Sequence, residues 1–168
     1  MKVFQVILFF LIAEILFSCK APEVYPDEPE ITFKEIIVKD TSDLLNDIKM
    51  VKIIFSLIDG NGDIGLDESD TIAPYNQGSI YYYNLYVSFF EKHDGIFEEI
   101  TDLQVPYYYR IPNVSKEGQN KTLKADIQVD IDYLYPIKYD TVYYEIYIYD
   151  RALNQSNTIT TNTIILNN

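Results

Sequence analysis

TVYYEIYIYD, residues 141–150, has the alternation of a β-strand that buries one of its faces, because successive side chains of a strand point to opposite sides. Its apolar face carries Val142, Tyr144, Ile146 and Ile148. KTLKADIQVDIDYL, residues 121–134, alternates in the same way, with charged or polar residues on its second face. Both segments predict strands of an antiparallel sheet that has one buried and one solvated face.

Strand patterns recur along the rest of the chain, with β-branched and aromatic residues throughout and no sustained helical period. The predicted strands cover residues 31–39, 49–59, 79–92, 96–100, 105–114, 121–134, 141–150 and 158–166. Residues 43–51 could instead include a short helical turn. Short strands joined by turns predict an all-β fold, either a two-sheet antiparallel sandwich of about seven to eight strands or a barrel.

A resemblance to immunoglobulin-like domains favours the sandwich. DTVYYEI, residues 140–146, is similar to the motif that leads into the sixth strand of such domains. Tyr144 matches the tyrosine-corner position, and Ile146 stands where antibody domains have a cysteine. Residues 149–161 resemble the last hairpin of bacterial immunoglobulin-like modules. The resemblance implies an immunoglobulin-like β-sandwich over residues 31–168.

The first residues of the chain indicate export. Lys2 precedes an apolar run that is too short for a comfortable membrane span, which is the pattern of a secretory signal peptide over residues 1–18. The run ends in LFSC, which resembles the lipobox of bacterial lipoproteins and implies cleavage before Cys19 and a lipid on that residue. Cys19 is the only cysteine, so it has no disulfide partner within the chain. Residues 19–30 are acidic and proline-rich, and they predict an extended tether.

Taken together, the lipobox, the sandwich motifs and the loop around Asp63 resemble small envelope lipoproteins of Bacteroidetes-type bacteria. The resemblance implies an outer-membrane lipoprotein, attached to the membrane through its N-terminal lipid and facing the periplasm or the cell surface. The formal net charge is −13. Such an acidic chain is repelled by nucleic acid and by anionic headgroups, so we expect neither as a partner.

DGNGDIGLDESD, residues 59–70, carries oxygen-bearing side chains at alternate positions, as calcium loops do. Ile64 occupies the glycine position of an EF-hand, so a β-sandwich calcium loop is the metal-binding interpretation. In an immunoglobulin-like sandwich, the loops after the second and sixth strands share one end, which adds a ligand from beyond the sixth strand. The candidate Ca²⁺ ligands are Asp59, Asn61, Asp63, Asp67, Asp70 and Asp150. The alternative is a purely structural turn, in which Ile64 and Leu66 plug the end of the sandwich.

Tyrosine is unusually frequent, with 16 residues and no tryptophan. Exposed tyrosines can form a platform for a sugar or a protein, because they bury a large area at low entropic cost. The candidate binding residues are Tyr81, Tyr83, Tyr107 and Tyr109. The alternative is that these residues serve strand formation and the core.

The sequence contains no recognisable nucleophile elbow or phosphate loop, and its one histidine, His93, lies in a predicted hairpin. We therefore expect a non-enzymatic envelope protein, with Ca²⁺ as the one cofactor to consider. The leading interpretation is a binding or structural module with a protein partner in an outer-membrane assembly. The alternative is a surface lipoprotein that captures a glycan on an exposed tyrosine-rich sheet face.

Overall fold

The structure, a computed structural model, describes residues 23–43, 45–114 and 121–167. These residues form nine β-strands and no helix, and so none of them belongs to a helix that could cross a membrane. The strands are β1 (Glu30–Asp43), β2 (Asn46–Asp59), β3 (Leu85–His93), β4 (Ile96–Glu99), β5 (Tyr107–Tyr109), β6 (Leu123–Leu134), β7 (Thr141–Ile148), β8 (Ile159–Thr160) and β9 (Ile164–Ile165). The predicted signal peptide and Cys19 lie outside the described residues.

The strands divide into two antiparallel sheets. In the three-stranded sheet, β2 lies between β1 and β6. In the six-stranded sheet, β3 and β7 pair at the centre, β4 and β5 both pair with β3, and β8 and β9 both pair with β7. The predicted all-β, two-sheet antiparallel sandwich is confirmed, and the sheets do not close into a barrel.

The core lies between the two sheets. The central strands β2 and β7 each turn every second side chain inward, and those side chains are almost completely buried. From β2 they are Val51, Ile53, Phe55 and Leu57, and from β7 they are Val142, Tyr144, Ile146 and Ile148. The alternation predicted for residues 141–150 therefore matches the burial pattern of β7.

Four segments differ from their predicted conformations, and one of them, residues 105–114, contributes only the three-residue strand β5. The described part of residues 43–51 forms no helical turn, since β1 and β2 pair up to Asp43 and Asn46 and β2 continues from there as a strand. Residues 79–84 precede β3 as turns, in which the Tyr82 N–H donates to the Ser79 carbonyl oxygen at 3.1 Å. The predicted last strand is divided into β8 and β9.

Side-chain hydroxyls replace part of the ladder beside β7, because β8 and β9 have only two residues each. The Tyr144 N–H donates to Thr161 Oγ1 at 3.0 Å, and the Ile148 N–H donates to Ser156 Oγ at 3.0 Å. Asn157 connects the two sheets at this edge, since its side-chain amide bonds the backbone N–H and carbonyl of Ile31, both at 2.8 Å.

The end of the predicted tether packs against the domain instead of projecting from it. The Gly60 N–H donates to the Pro26 carbonyl oxygen at 2.9 Å, and Lys124 Nζ lies 3.3 Å from Glu23 Oε2. Pro29 is buried, and β1 begins at the next residue. The chain therefore enters the sandwich beside the loop that follows β2.

Buried tyrosine hydroxyls join the two sheets. The hydroxyls of Tyr133 on β6 and Tyr144 on β7 lie 2.7 Å apart and form a hydrogen bond between the sheets. Burial raises the pKa of both Tyr133 and Tyr144 well above the usual range, so both stay neutral. Tyr144 occupies the predicted tyrosine-corner position, but its hydroxyl bonds a side chain of the opposite sheet instead of an upstream backbone group.

We expect Tyr144→Phe to lower the free energy of unfolding by about 1–2 kcal/mol, because it takes a hydrogen-bond partner from the buried Tyr133 hydroxyl. The double variant Tyr133→Phe/Tyr144→Phe should cost less than the sum of the two single variants, since the bonded groups leave together. Urea denaturation measures these differences. Tyr143→Phe, on the outer face of β7, is the matched control and should change little, whereas additive costs would contradict the hydroxyl pair.

Candidate functional site

Two features of the described residues are candidate sites: a cluster of acids at one end of the sandwich and a tyrosine-lined groove on the outer face of the six-stranded sheet. The acidic cluster follows from the pleat of the central strands. Asp59 comes two residues after Leu57 and Asp150 two residues after Ile148, so both continue inward-facing rows. Both carboxylates are buried. We call Asp59, Asp63 and Asp150 the acidic end.

The loop after β2 closes this end of the core. Ile64 and Leu66 are buried, as the structural-turn interpretation of the sequence predicts. Gly62 has a φ of 66°, and a Cβ there would meet the Lys121 carbonyl oxygen at 1.9 Å, so the loop requires glycine at this position. The Arg151 N–H donates to the Asp63 carbonyl oxygen at 3.1 Å, which fixes the loop to the segment that follows β7.

Some carboxylate oxygens of the acidic end accept hydrogen bonds and others do not. Asp59 Oδ1 accepts the Gly62 N–H at 3.2 Å, whereas Asp59 Oδ2 and Asp63 Oδ1 are buried and have no partner among the described residues. Asp150 accepts the backbone N–H of Asn154 at 2.7 Å and its side-chain amide at 2.8 Å. The pKa of Asp59 is raised to about 6, mainly by burial and also by the negative charges of Asp63 and Asp150.

The remaining predicted calcium ligands have other partners. Asp70 forms a two-point ion pair with Arg151, with Nη1 to Oδ2 at 2.6 Å and Nη2 to Oδ1 at 3.2 Å. Asp67 Oδ2 accepts the side-chain amide of Asn113 at 3.0 Å, and Asn61 Oδ1 accepts the Asp63 N–H at 3.2 Å. The predicted set is therefore split, because an arginine neutralises Asp70 while Asp59, Asp63 and Asp150 remain together.

No group of three or more His, Cys, Asp or Glu side chains in the described part of the chain stands ready to hold a metal ion. The acidic end thus consists of two buried carboxylates, Asp59 and Asp150, and the half-buried Asp63, and it is not preorganised as a ligand cage.

The ion pair of Asp70 and Arg151 predicts a pH-dependent stability. The Arg151 guanidinium lowers the pKa of Asp70 in the folded state, so its stabilisation is present above the unfolded-state pKa and is lost as the pH falls through the folded-state pKa. We expect Asp70→Asn to lower the free energy of unfolding by about 1–2 kcal/mol at neutral pH. The difference from the parent protein should shrink below about pH 4.

Denaturation curves recorded from neutral to acidic pH test this dependence. Asp47→Asn removes an exposed carboxylate at the far end of β2 and is the matched control. A difference between the Asp70 variant and the parent that stays constant with pH would contradict an ionic contribution.

The second feature, the tyrosine groove, is an open cavity of about 680 Å³. Its lining residues are Gln77, Gly78, Ser79, Ile80, Tyr82, Tyr83, Tyr86, Tyr108, Tyr147 and Tyr149. Six of these are tyrosines and none is charged. Tyrosine rings from three strands line the groove, because Tyr86 on β3, Tyr108 on β5 and Tyr147 on β7 all lie on the outer face of the sheet.

The rings of the groove support one another. Tyr86 stacks on Tyr147 with centroids 5.1 Å apart and an interplanar angle of 7°, and it contacts Tyr108 at 4.7 Å. Tyr149 meets Tyr147 edge-on at 5.7 Å. The Tyr86 hydroxyl donates to the Ile80 carbonyl oxygen, which connects the sheet to the loop that forms one wall. These contacts hold the rings in place before any ligand arrives.

The predicted binding tyrosines only partly coincide with this groove. Tyr83 lines it, and Tyr81 packs edge-on against Tyr149 at 5.2 Å. Tyr107 and Tyr109, by contrast, lie outside the groove, where they are half-buried and pack against the core. Neighbouring residues of a strand face opposite sides, so the middle tyrosine of the β5 triplet, Tyr108, is the exposed one.

Sequence reasoning missed five of the six tyrosines that line the groove, namely Tyr82, Tyr86, Tyr108, Tyr147 and Tyr149. A signal for them was present, since the apolar residues Leu85, Val87 and Phe89 mark the inner face of β3 and so place Tyr86 outside. The same alternation places Tyr147 on the outer face of β7.

No protein-family model matches this chain, and comparisons with curated proteins and with solved structures find no significant match. The functional assignment therefore depends on the geometry and chemistry of the tyrosine groove and the acidic end.

Proposed function

We propose that this protein is a non-enzymatic, lipid-anchored binding module of the bacterial cell envelope and that the tyrosine groove is its ligand site. The observation that carries the proposal is a concave surface of six tyrosines with no charged lining residue. Its volume falls within the range of roughly 300–1,000 Å³ that is common for ligand sites. Tyrosine combines an apolar ring with a polar hydroxyl and loses little conformational entropy on binding.

The chemistry of the groove selects a neutral ligand. Its polar groups are tyrosine hydroxyls, backbone groups and the side chains of Gln77 and Ser79, while its rings offer flat apolar faces. A protein segment of an outer-membrane assembly satisfies these conditions, because a neutral loop with apolar side chains can insert between the rings. This is the first candidate ligand.

A glycan is the second candidate, and the absence of charged lining residues together with the concave shape favours it. A neutral sugar places its C–H groups on aromatic faces and its hydroxyls against polar side chains. The rings of Tyr83 and Tyr108 contact each other with centroids 5.8 Å apart and a 57° tilt. Their faces are therefore not buried against each other in a parallel stack.

We expect Tyr108→Ala and Tyr83→Ala each to weaken ligand binding about tenfold or more, because stacking on one aromatic ring contributes on the order of 1–3 kcal/mol in comparable platforms. A glycan array and crosslinking pull-downs from membranes, run with the same variants, measure the effect and separate the two ligand classes.

Tyr143→Ala is the matched control, since Tyr143 lies on the same outer face of β7, away from the groove, and packs on Phe90. Binding that is equally impaired by this variant, or unaffected by both groove variants, would contradict the groove as the ligand site.

The lipid anchor is part of the proposal, and its support is the lipobox-like LFSC sequence around the single cysteine. We expect Cys19→Ser to move the protein from the membrane fraction to the soluble fraction of detergent-free extracts, because the variant has no thiol to acylate. Ser18→Ala, next to the modified position, is the control and should stay with the membrane. Retention of the Cys19 variant in the membrane would contradict lipid anchoring.

A further inference from the structure

Two carboxylate oxygens of the acidic end, Asp59 Oδ2 and Asp63 Oδ1, are buried without a hydrogen-bond donor among the described residues. Asp59 is 0% exposed, so its unpaired oxygen has no access to bulk solvent. Buried carboxylates are normally paired with a cation or saturated by donors, since removing a charge from water is costly. These oxygens therefore point to a positively charged ligand.

Asp150 brings a second buried carboxylate, from the other sheet, and it is 2% exposed, whereas Asp63 is half-buried. The N–H of Arg151, the residue after Asp150, donates to the Asp63 carbonyl oxygen at 3.1 Å, so the loop that carries Asp63 lies against the segment that carries Asp150. The guanidinium of Arg151 is engaged in the two-point ion pair with Asp70 and forms no ion pair with these acids, although its charge also acts on Asp63. Among the described residues, no lysine or arginine forms an ion pair with Asp59, Asp63 or Asp150.

We propose that the acidic end binds one Ca²⁺ ion through the carboxylates of Asp59, Asp63 and Asp150. Ca²⁺ prefers oxygen ligands, takes 6–8 of them in irregular arrangements and accepts backbone carbonyls and water for the remainder. Mg²⁺ fits less well, because it requires near-ideal octahedral geometry and gives up its water reluctantly. Asp59 lies at the end of β2, Asp63 in the loop that follows β2, and Asp150 just after β7. The ion therefore joins the two sheets.

Binding requires a local rearrangement, since the carboxylates are not gathered around one point. Asp150 exchanges its 2.8 Å contact with the Asn154 side-chain amide for a contact with the ion, while its 2.7 Å bond from the Asn154 backbone N–H can remain. Asp59 and Asp63 present oxygens that have no bond to give up. The loop keeps its other anchors, which are the buried side chains of Ile64 and Leu66.

Calorimetric titration of the purified full chain with CaCl₂ tests the site, alongside melting temperatures in Ca²⁺ and in EDTA at matched ionic strength. We expect a dissociation constant of roughly 10⁻⁴–10⁻³ M, as in other extracellular modules. About 10 mM Ca²⁺ should raise the melting temperature by about 3–8 °C, and EDTA should reverse the rise. Matched ionic strength is needed because screening alone stabilises a chain of net charge −13.

The variants Asp63→Asn and Asp150→Asn should each weaken Ca²⁺ binding about tenfold or more. Asp59→Asn should abolish the Ca²⁺-dependent rise in melting temperature. In EDTA this variant should melt no lower than the parent protein, because it removes an uncompensated buried charge without changing the shape of the side chain. Asp47→Asn, at the opposite end of β2, is the matched control and should retain full binding.

Three results would overturn the proposal. The first is the absence of both heat and a melting-temperature change in the parent protein, which would leave the loop as a structural turn. The second is unchanged Ca²⁺ affinity in Asp150→Asn, which would exclude a site that joins the sheets. The third is an equal stabilisation by Mg²⁺ at the same concentration. None of these results bears on ligand binding in the tyrosine groove, which is tested separately.

Discussion

The buried faces of the central strands β2 and β7 form the middle of the core, and the other strands flank these two strands. Each central strand is flanked on both sides within its own sheet, so its backbone groups are paired and its alternate side chains are free to fill the core. The period of two residues then continues past the last apolar residue on each strand. It places Asp59 after Leu57 and Asp150 after Ile148, and thereby brings two carboxylates to the same end of an apolar core.

Burying two carboxylates at the end of the core destabilises the folded chain. A carboxylate without a cation or enough donors loses hydration that it does not recover, and each further negative charge nearby adds repulsion. The raised pKa of Asp59 is the direct expression of both effects. By contrast, Asp70 lies in the same loop and has its pKa lowered by Arg151. The acids at this end of the sandwich therefore differ in their partners, because Asp70 is paired with an arginine whereas Asp59 forms no ion pair among the described residues.

Much of the fold was predictable from the sequence, because a strand with one buried face alternates apolar and polar residues, as β6 and β7 do. The prediction failed at residues 79–84 and in the tyrosine triplets, where aromatic residues occupy consecutive positions and carry no period. Inner and outer tyrosines then depend on register, which tertiary pairing sets. Likewise, the partner of Asp70 could not be predicted, since its pairing with Arg151 depends on the path of a long loop across the sandwich end. The grouping of Asp59 with Asp150, however, was accessible from the fold class and the strand period alone.

The acidic end and the tyrosine groove are connected through the end of β7. Tyr147 and Tyr149 point outward into the groove, while Ile148 and Asp150 point inward, so adjacent residues serve the two features from opposite faces of one segment. The Tyr149 N–H donates to the Asn84 carbonyl oxygen at 2.9 Å, and the Tyr75 hydroxyl donates to the Arg151 carbonyl oxygen, which ties this segment to the groove wall. The backbone that positions Asp150 therefore also positions Tyr149. The acidic end and the tyrosine groove take their side chains from opposite faces of the same strand end.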